Sequence, residues 1–297
     1  MSVMMKHFAA FLARSARLAR SACLARSVRL ALPFGLALAS TGLLATSAQA
    51  ENPADMVQIR VLPGWSSDDG SHMAALHLSL APGWKTYWRA PGDAGIPPML
   101  DLGGSHNLAD LTPIWPTPHV FSQNGMHTVG YESELVLPLH VKPQISGQAA
   151  RIAAQMQIGI CRNVCVPVEF AFTLDLPTQG TEAQQHLIRT ALADQPVSAG
   201  QARVSHVSCT LTPIRDGLGL SVTIDMPSAG GTETVLIETA DPQVWVAETN
   251  SNRTGHQLTA RTELVHVSGQ AFALDRSGLR FTVLGADRAV DIHGCKG

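Results

Sequence analysis

Apolar and polar residues alternate in short runs through the first half of the chain, over 57–62, 73–80, 135–141, 152–160 and 166–176, with Gly, Pro, Asn and Asp between them. A period of two with turn residues at the ends predicts strands, and several such strands in succession predict an antiparallel sandwich. Residues 81–130 break the alternation. They are rich in Pro and Gly and hold Trp84, Trp88 and Trp115, so a long irregular loop is expected there, of a length that usually serves a function. At Thr181 the period changes. Leu187, Ile188, Ala191 and Leu192 fall on one helical face, Thr181 can cap, and Pro196 with Gly200 ends the helix. A second set of strand-like runs follows (202–213, 219–225, 233–239, 243–247, 257–267, 270–274, 279–284 and 289–292), with Gly230-Gly231 and Ser277-Gly278 as hairpin turns. The fold class is therefore all-β. Two antiparallel β-sandwich domains, 51–178 and 201–297, are expected, joined by a short helix-containing linker over 179–200.

The first fifty residues are of another kind. Lys6, Arg14, Arg17, Arg20, Arg26 and Arg29 precede an apolar run over 30–45 and the small-residue end Ala48-Gln49-Ala50. This pattern predicts a signal peptide over 1–50, cleaved before Glu51, and a periplasmic protein. No later segment reaches about 18 uninterrupted apolar residues, the least that spans a bilayer. Removal of the signal leaves 15 basic against 23 acidic side chains, a formal charge of −8. An acidic chain without a basic run argues against nucleic acid as a partner.

Cys23 would leave with the signal, so Cys161, Cys165, Cys209 and Cys295 remain. An even number in an oxidising compartment means two bridges, or one bridge and one working dithiol. Parity decides where the first pair lies. Ile152, Ala154, Met156, Ile158 and Ile160 share one face of their strand, and Val166, Val168, Phe170, Phe172, Leu174 and Leu176 share one face of the next. Cys161 and Cys165 belong to the opposite, non-core set. A three-residue turn at Arg162-Asn163-Val164 sets Cys161 against Cys165 and gives every apolar residue an apolar partner. Directly opposed residues have Cα atoms about 4.5–5.5 Å apart, within the reach of a disulfide. A bridge over so short a loop restrains the unfolded chain little, while exposure favours exchange. Three readings stay open at this point: a redox pair, a hairpin staple, or a Cu(I) site made of the two thiolates and a methionine such as Met126 or Met156. Zinc would need two further ligands, and no CxxC or nearby His run supplies them. No other metal and no cofactor are expected.

Cys209 shares the parity of Val207 and Leu211 and points inward, so a structural bridge to Cys295 is expected. The histidines form no cluster. Glu132 and Glu134 are read as alternating on one strand face, where a carboxylate near Cys161 would raise its pKa.

Four ordered motifs carry a resemblance. They are Gly83-Trp84-Lys85-Thr86-Tyr87-Trp88-Arg89 with Pro91-Gly92-Asp93-Ala94-Gly95-Ile96-Pro97; Trp115-Pro116-Thr117-Pro118; Gly130-Tyr131-Glu132 leading to Val136-Leu137-Pro138; and Cys161-Arg162-Asn163-Val164-Cys165-Val166-Pro167. Together they resemble the amino-terminal periplasmic domain of the DsbD family of thiol:disulfide interchange proteins and its relatives in the ScsB copper-sensitivity proteins. The resemblance implies an immunoglobulin-like sandwich and makes Cys161 and Cys165 the pair that takes electrons from a thioredoxin-like domain and passes them on. It further implies that the loop from Phe121 to Tyr131 caps the cysteines, with Met126 the candidate shield and Tyr87 and Tyr131 near the site. The three-residue spacing of the cysteines matches the ScsB-like branch. The chain has neither the membrane domain nor the thioredoxin-like domain of the family, so periplasmic thioredoxin-like proteins and a separate membrane thiol-reductase are the expected partners. Copper handling or a binding module with purely structural bridges are the alternatives.

Overall fold

The structure is a computed structural model that describes residues 52–92, 94–123 and 126–297; the signal segment, and Cys23 with it, lies outside the described residues. One turn of helix, α1 (Pro53–Met56), leads into β1 (Val57–Ser66), β2 (His72–Leu80), β3 (Lys85–Gly92), β4 (Met99–Asp101) and β5 (Leu108–Pro113). β6 (His119–Gln123), β7 (Met126–Glu132), β8 (Glu134–Pro143), β9 (Ala150–Cys161) and β10 (Cys165–Leu176) complete the first sandwich. One sheet has the order β1-β2-β8-β5 and the other β10-β9-β3-β7-β6, with β4 pairing to β9 as well. Every pairing is antiparallel. The alternating apolar residues of both sheets meet in one core, where Leu76, Leu137, Val141, Ile152, Ile160 and Trp88 are fully or almost fully buried.

The stretch over 81–130 is not a loop. It holds β3 to β6 and most of β7, each too short or too often interrupted by Pro and Gly to show its alternation; β3, β4, β5 and β7 each pair with a strand distant in sequence, and β6 pairs with β7. Trp84 and Trp88 are core residues, and Trp115 stacks on Tyr131 with ring centroids 6.4 Å apart.

Helix α2 (Glu182–Ala193) starts at a capping box in which Thr181 accepts from the Gln184 N–H and the Gln184 side chain accepts from the Thr181 N–H. It does more than link. Ile188, wholly buried, packs with Leu62 and Ala75 on the outer face of the β1-β2-β8-β5 sheet, which is why β2 is apolar on both faces.

The second sandwich consists of β11 (Val197–Ser198), β12 (His206–Ile214), β13 (Gly217–Asp225), β14 (Thr234–Glu238), β15 (Val244–Val246), β16 (Asn250–Thr254), β17 (Gln257–His266), β18 (Arg280–Leu284) and β19 (Ala289–His293). Its sheets run β11-β19-β18-β14 and β12-β13-β17-β15, with β16 also on β17. Three expectations are corrected here. Gly230 and Gly231 both take positive φ, but they join β13 to β14 in different sheets and so form a crossing. Residues 270–274 form no strand, and Ser277-Gly278 belong to a 3-10 turn. The polar run Asn250–Thr254 is a strand, paired to β17 through the turn at Gly255.

The two sandwiches touch. Leu284 and Ala289 belong to the first core, and Leu236 packs against it. The Arg89 guanidinium on β3 donates to both carboxylate oxygens of Glu238 on β14 at 2.9 Å and lies over the Trp88 ring. His127 on β7 pairs with Glu248. The described residues form one compact unit.

Candidate functional site

The β9–β10 hairpin has the register that alternation demands, from Cys165 opposite Cys161, through Val166 opposite Ile160, to Leu176 opposite Ala150. Cys161 and Cys165 are joined by a disulfide, with Cα atoms 4.2 Å apart. The sulfurs differ in access. Cys165 and the turn residues Arg162, Asn163 and Val164 are exposed, whereas Cys161 is only 4% exposed. Parity put both cysteines on the non-core face, and that face is locally covered over Cys161.

The cover comes from β3 and the segment after it. β3 inserts between β9 and β7 with Lys85 opposite Cys161 and Thr86 opposite Ile160, so Tyr87 lies on the same face as Cys161, one step along. Thr86, on the core side, donates through Oγ1 to the Gly159 carbonyl at 3.0 Å. The Tyr87 hydroxyl lies 2.9 Å from Cys161 Sγ and 3.0 Å from Cys165 Sγ; a disulfide carries no hydrogen, so the phenol donates. Burial pushes the Tyr87 pKa up, which keeps the phenol protonated and a donor at neutral pH. Gly95, packed against Pro91, and Gly159, packed against Ile96, approach the two edges of the ring.

Charge around the hairpin is held on aromatic faces. The Lys85 ammonium sits 4.5 Å from the centre of the Phe121 ring, and the Arg162 guanidinium 4.9 Å from that of Trp84. Glu132 is in register with Lys85 on the side away from Cys161, so a cation lies between that carboxylate and the cysteine row. Glu132 and Glu134 do not share a face, because Ser133 with φ 67° turns the chain from one sheet to the other, where Glu134 meets His77.

Tyr131 is a core residue. Its hydroxyl donates to the Pro116 carbonyl at 2.8 Å and its ring stacks on Trp115, which ties down the proline-rich connection. Met126 is 47% exposed at the start of β7. It lies six residues along that strand from Glu132, on the order of 20 Å at strand rise from the row that holds Cys161. The hairpin read as a cap over the cysteines instead reaches the second sandwich through His127. Met156 is buried in the core, on the face opposite the sulfurs. Neither methionine offered for Cu(I) is brought to the pair, and among the described residues no cluster of three His, Cys, Asp or Glu side chains is arranged to hold a metal.

Cys209 and Cys295 form the second disulfide, with Cα atoms 5.8 Å apart. Lys296 continues the join by backbone bonds to Val207 and Cys209, so the end of the chain is fastened to β12. Sequence reasoning missed Gly159, whose only signal was a glycine on the outer parity of β9, and gave Pro91, Gly95 and Ile96 no role beyond their place in the family motif.

Comparison with known proteins agrees with this fold. The crystal structure of the N-terminal periplasmic domain of ScsB from Proteus mirabilis is similar over 84% of this chain and 96% of that one, with a TM-score of 0.64 and 24% identity, a likeness of fold. No curated protein sequence matches the chain. The family model described as "Thiol:disulfide interchange protein DsbD, N-terminal" matches residues 57–177, the whole first sandwich with its cysteine hairpin. Residues 57–177, the first sandwich, therefore match the DsbD amino-terminal domain family, and the match does not extend to the second sandwich.

Proposed function

We propose that the protein is a periplasmic thiol:disulfide interchange protein that passes electrons between thioredoxin-like partners through the Cys161–Cys165 pair. The observation that carries this reading is the asymmetry of the two sulfurs: an exposed one at a projecting turn, bonded to a buried one beside a phenolic donor. A partner thiolate attacks Cys165 Sγ, the Cys161–Cys165 bond breaks, and its electron pair leaves on Cys161 Sγ. The Tyr87 hydroxyl donates to that thiolate, a bond about twice as strong as one to a neutral acceptor. The partner's second thiolate then attacks its own sulfur in the mixed disulfide and releases Cys165. The hairpin gains two electrons and two protons, and the partner becomes a disulfide. The same steps in reverse reduce a partner disulfide, with Cys165 as the attacking thiolate and Cys161 as the resolving one.

An exported location is supported by the signal-like first fifty residues, by two disulfides, which persist in oxidising compartments, and by the periplasmic origin of the similar ScsB domain. A separate membrane thiol-reductase would supply the electrons.

The test is covalent trapping in cells. Cys161→Ser keeps the attacking sulfur and removes the resolving one, so mixed disulfides should accumulate through Cys165, at least about tenfold above Cys165→Ser. No trapped species with either variant, or trapping through Cys161 alone, would overturn the assignment.

A further inference from the structure

A strand interior is a poor place for glycine, which costs about 1 kcal/mol there against a residue with a side chain. Gly159 nevertheless sits inside β9, two residues before Cys161 and opposite Pro167. Gly95 stands in the segment between β3 and β4. Neither is among the glycines with positive φ, so the backbone would accept another residue at both. What each lacks is room. A Cβ on Gly159 would lie 2.7 Å from Ile96 Cβ and 2.9 and 3.0 Å from Tyr87 Cδ2 and Cε2. A Cβ on Gly95 would lie 2.3 Å from Pro91 Cβ, 2.8 Å from the Pro91 carbonyl oxygen and 3.0 Å from Tyr87 Cδ1. The two glycines thus flank opposite edges of one aromatic ring. The other atoms in the way are a β-branched Cβ, a proline ring and a backbone oxygen, all held by the chain. The Tyr87 ring can swing, and its hydroxyl is the far end of the lever.

We propose that Gly159 and Gly95 are positioning residues for disulfide exchange: they clear both edges of the Tyr87 ring so that its hydroxyl reaches Cys161 Sγ and Cys165 Sγ, and a methyl group at either one withdraws that donor from the leaving sulfur. Rotation about the ring's own long axis would leave the hydroxyl in place, but a glycine meets each edge, so turning away from a methyl on one side drives the opposite edge against the other side; the relief left is a swing about χ1, which carries the hydroxyl with it. The inference rests on the exchange reading only in assigning Tyr87 a part in the chemistry; the packing of the ring is independent of any partner.

The experiment uses the whole chain and a small dithiol, dithiothreitol, as reductant, which removes partner recognition from the measurement. The rate of hairpin reduction and the pKa of the Cys161 thiol, followed by thiolate absorbance, are measured for Gly159→Ala, Gly95→Ala, Tyr87→Phe and the double variants. Loss of a hydrogen bond to a charged group is expected to slow reduction about tenfold or more and to raise the Cys161 pKa in each single variant. Each glycine substitution added to Tyr87→Phe should cost nothing further in rate, since the donor is already gone. Unchanged rate and pKa in both glycine variants, or full additivity with Tyr87→Phe, would overturn the proposal. Should a glycine variant fail to fold, the same substitution is made beside Tyr87→Ala, which removes the ring. It must then fold as Tyr87→Ala does, and failure there would mean that the glycine serves the backbone and not the tyrosine. Trapped partners together with inert glycine variants would leave the exchange reading standing and this one refuted.

Discussion

At the scale of single residues, buried polar groups are held by partners that can be removed one at a time. The Glu233 side chain is 2% exposed and the Arg253 guanidinium that grips it 18%. Burial pushes the Glu233 carboxyl upward, but Arg253, the Ala229 N–H and the Ser228 hydroxyl outweigh it and hold the pKa below the ordinary value of 4.5. A depressed carboxylate contributes stability that is present above its unfolded value and is lost as the pH falls through the folded one. Glu233→Gln is therefore expected to cost on the order of 3 kcal/mol at pH 7, the cost of breaking a buried pair. The gap to the unsubstituted protein should narrow as the pH is taken below about 4, which urea unfolding over a pH series would read. A gap that stays constant with pH would deny the carboxylate that role. The same logic of local partners distinguishes the two hairpin cysteines: side chains on one rung differ in access because Cys161 is on β9, between β10 and β3, whereas Cys165 is on the edge strand β10.

At the scale of elements, alternation was legible wherever a strand ran long enough to repeat it. β9 and β10 each carry 12 residues with one apolar face, and their pairing followed from the requirement that apolar residues meet. The strands of 81–130 were hidden because β4 has 3 residues and β6 has 5, with prolines and glycines close on either side. β16 was hidden for a different reason: it is an uninterrupted polar run lying against one neighbour, so no apolar face marks it. Helix α2 was visible from its cap and its apolar stripe, but the surface that receives the stripe was not. Ile188→Ala should cost about 2–4 kcal/mol in chemical denaturation, the range for a large buried aliphatic truncated to alanine. A loss under about 0.5 kcal/mol, the size expected of an exposed position, would mean that the helix is a tether only.

At the scale of the whole molecule, the question is how firmly the sandwiches are joined. Arg89 is on β3, two residues from Tyr87, and its charge is matched by Glu238 of the second sandwich, with side-chain exposures of 16% and 21%. Leu284 and Ala289 lie in the first core, at the end of the β14–β18–β19 ladder away from Glu238. Glu238→Ala would leave the guanidinium half-buried without its carboxylate, an expected cost on the order of 3 kcal/mol. Earlier separation of the two sandwiches should accompany it, seen as two transitions in place of one. A single unfolding transition at unchanged denaturant midpoint would show the apolar contact sufficient. The second sandwich is closed independently by Cys209–Cys295, whose 86-position loop is worth on the order of 4 kcal/mol in chain entropy.

The sequence by itself determined the all-β class, the helix after the first sandwich, the register of the cysteine hairpin and the inward parity of Cys209, because each rests on residues within a few positions of one another and on the period of two or 3.6 that the backbone imposes. It also carried the motifs of a thiol:disulfide interchange family. Only the tertiary structure decided that Cys161 is covered while Cys165 is open, that Tyr87 rather than Met126 lies on the sulfurs, and that two glycines 64 positions apart leave its ring its place. Those facts depend on β3 entering the sheet between β9 and β7, a pairing across more than 70 residues that no local period specifies. Cys161 and Cys165 are near neighbours in the chain, and their chemistry is set by a residue that is not.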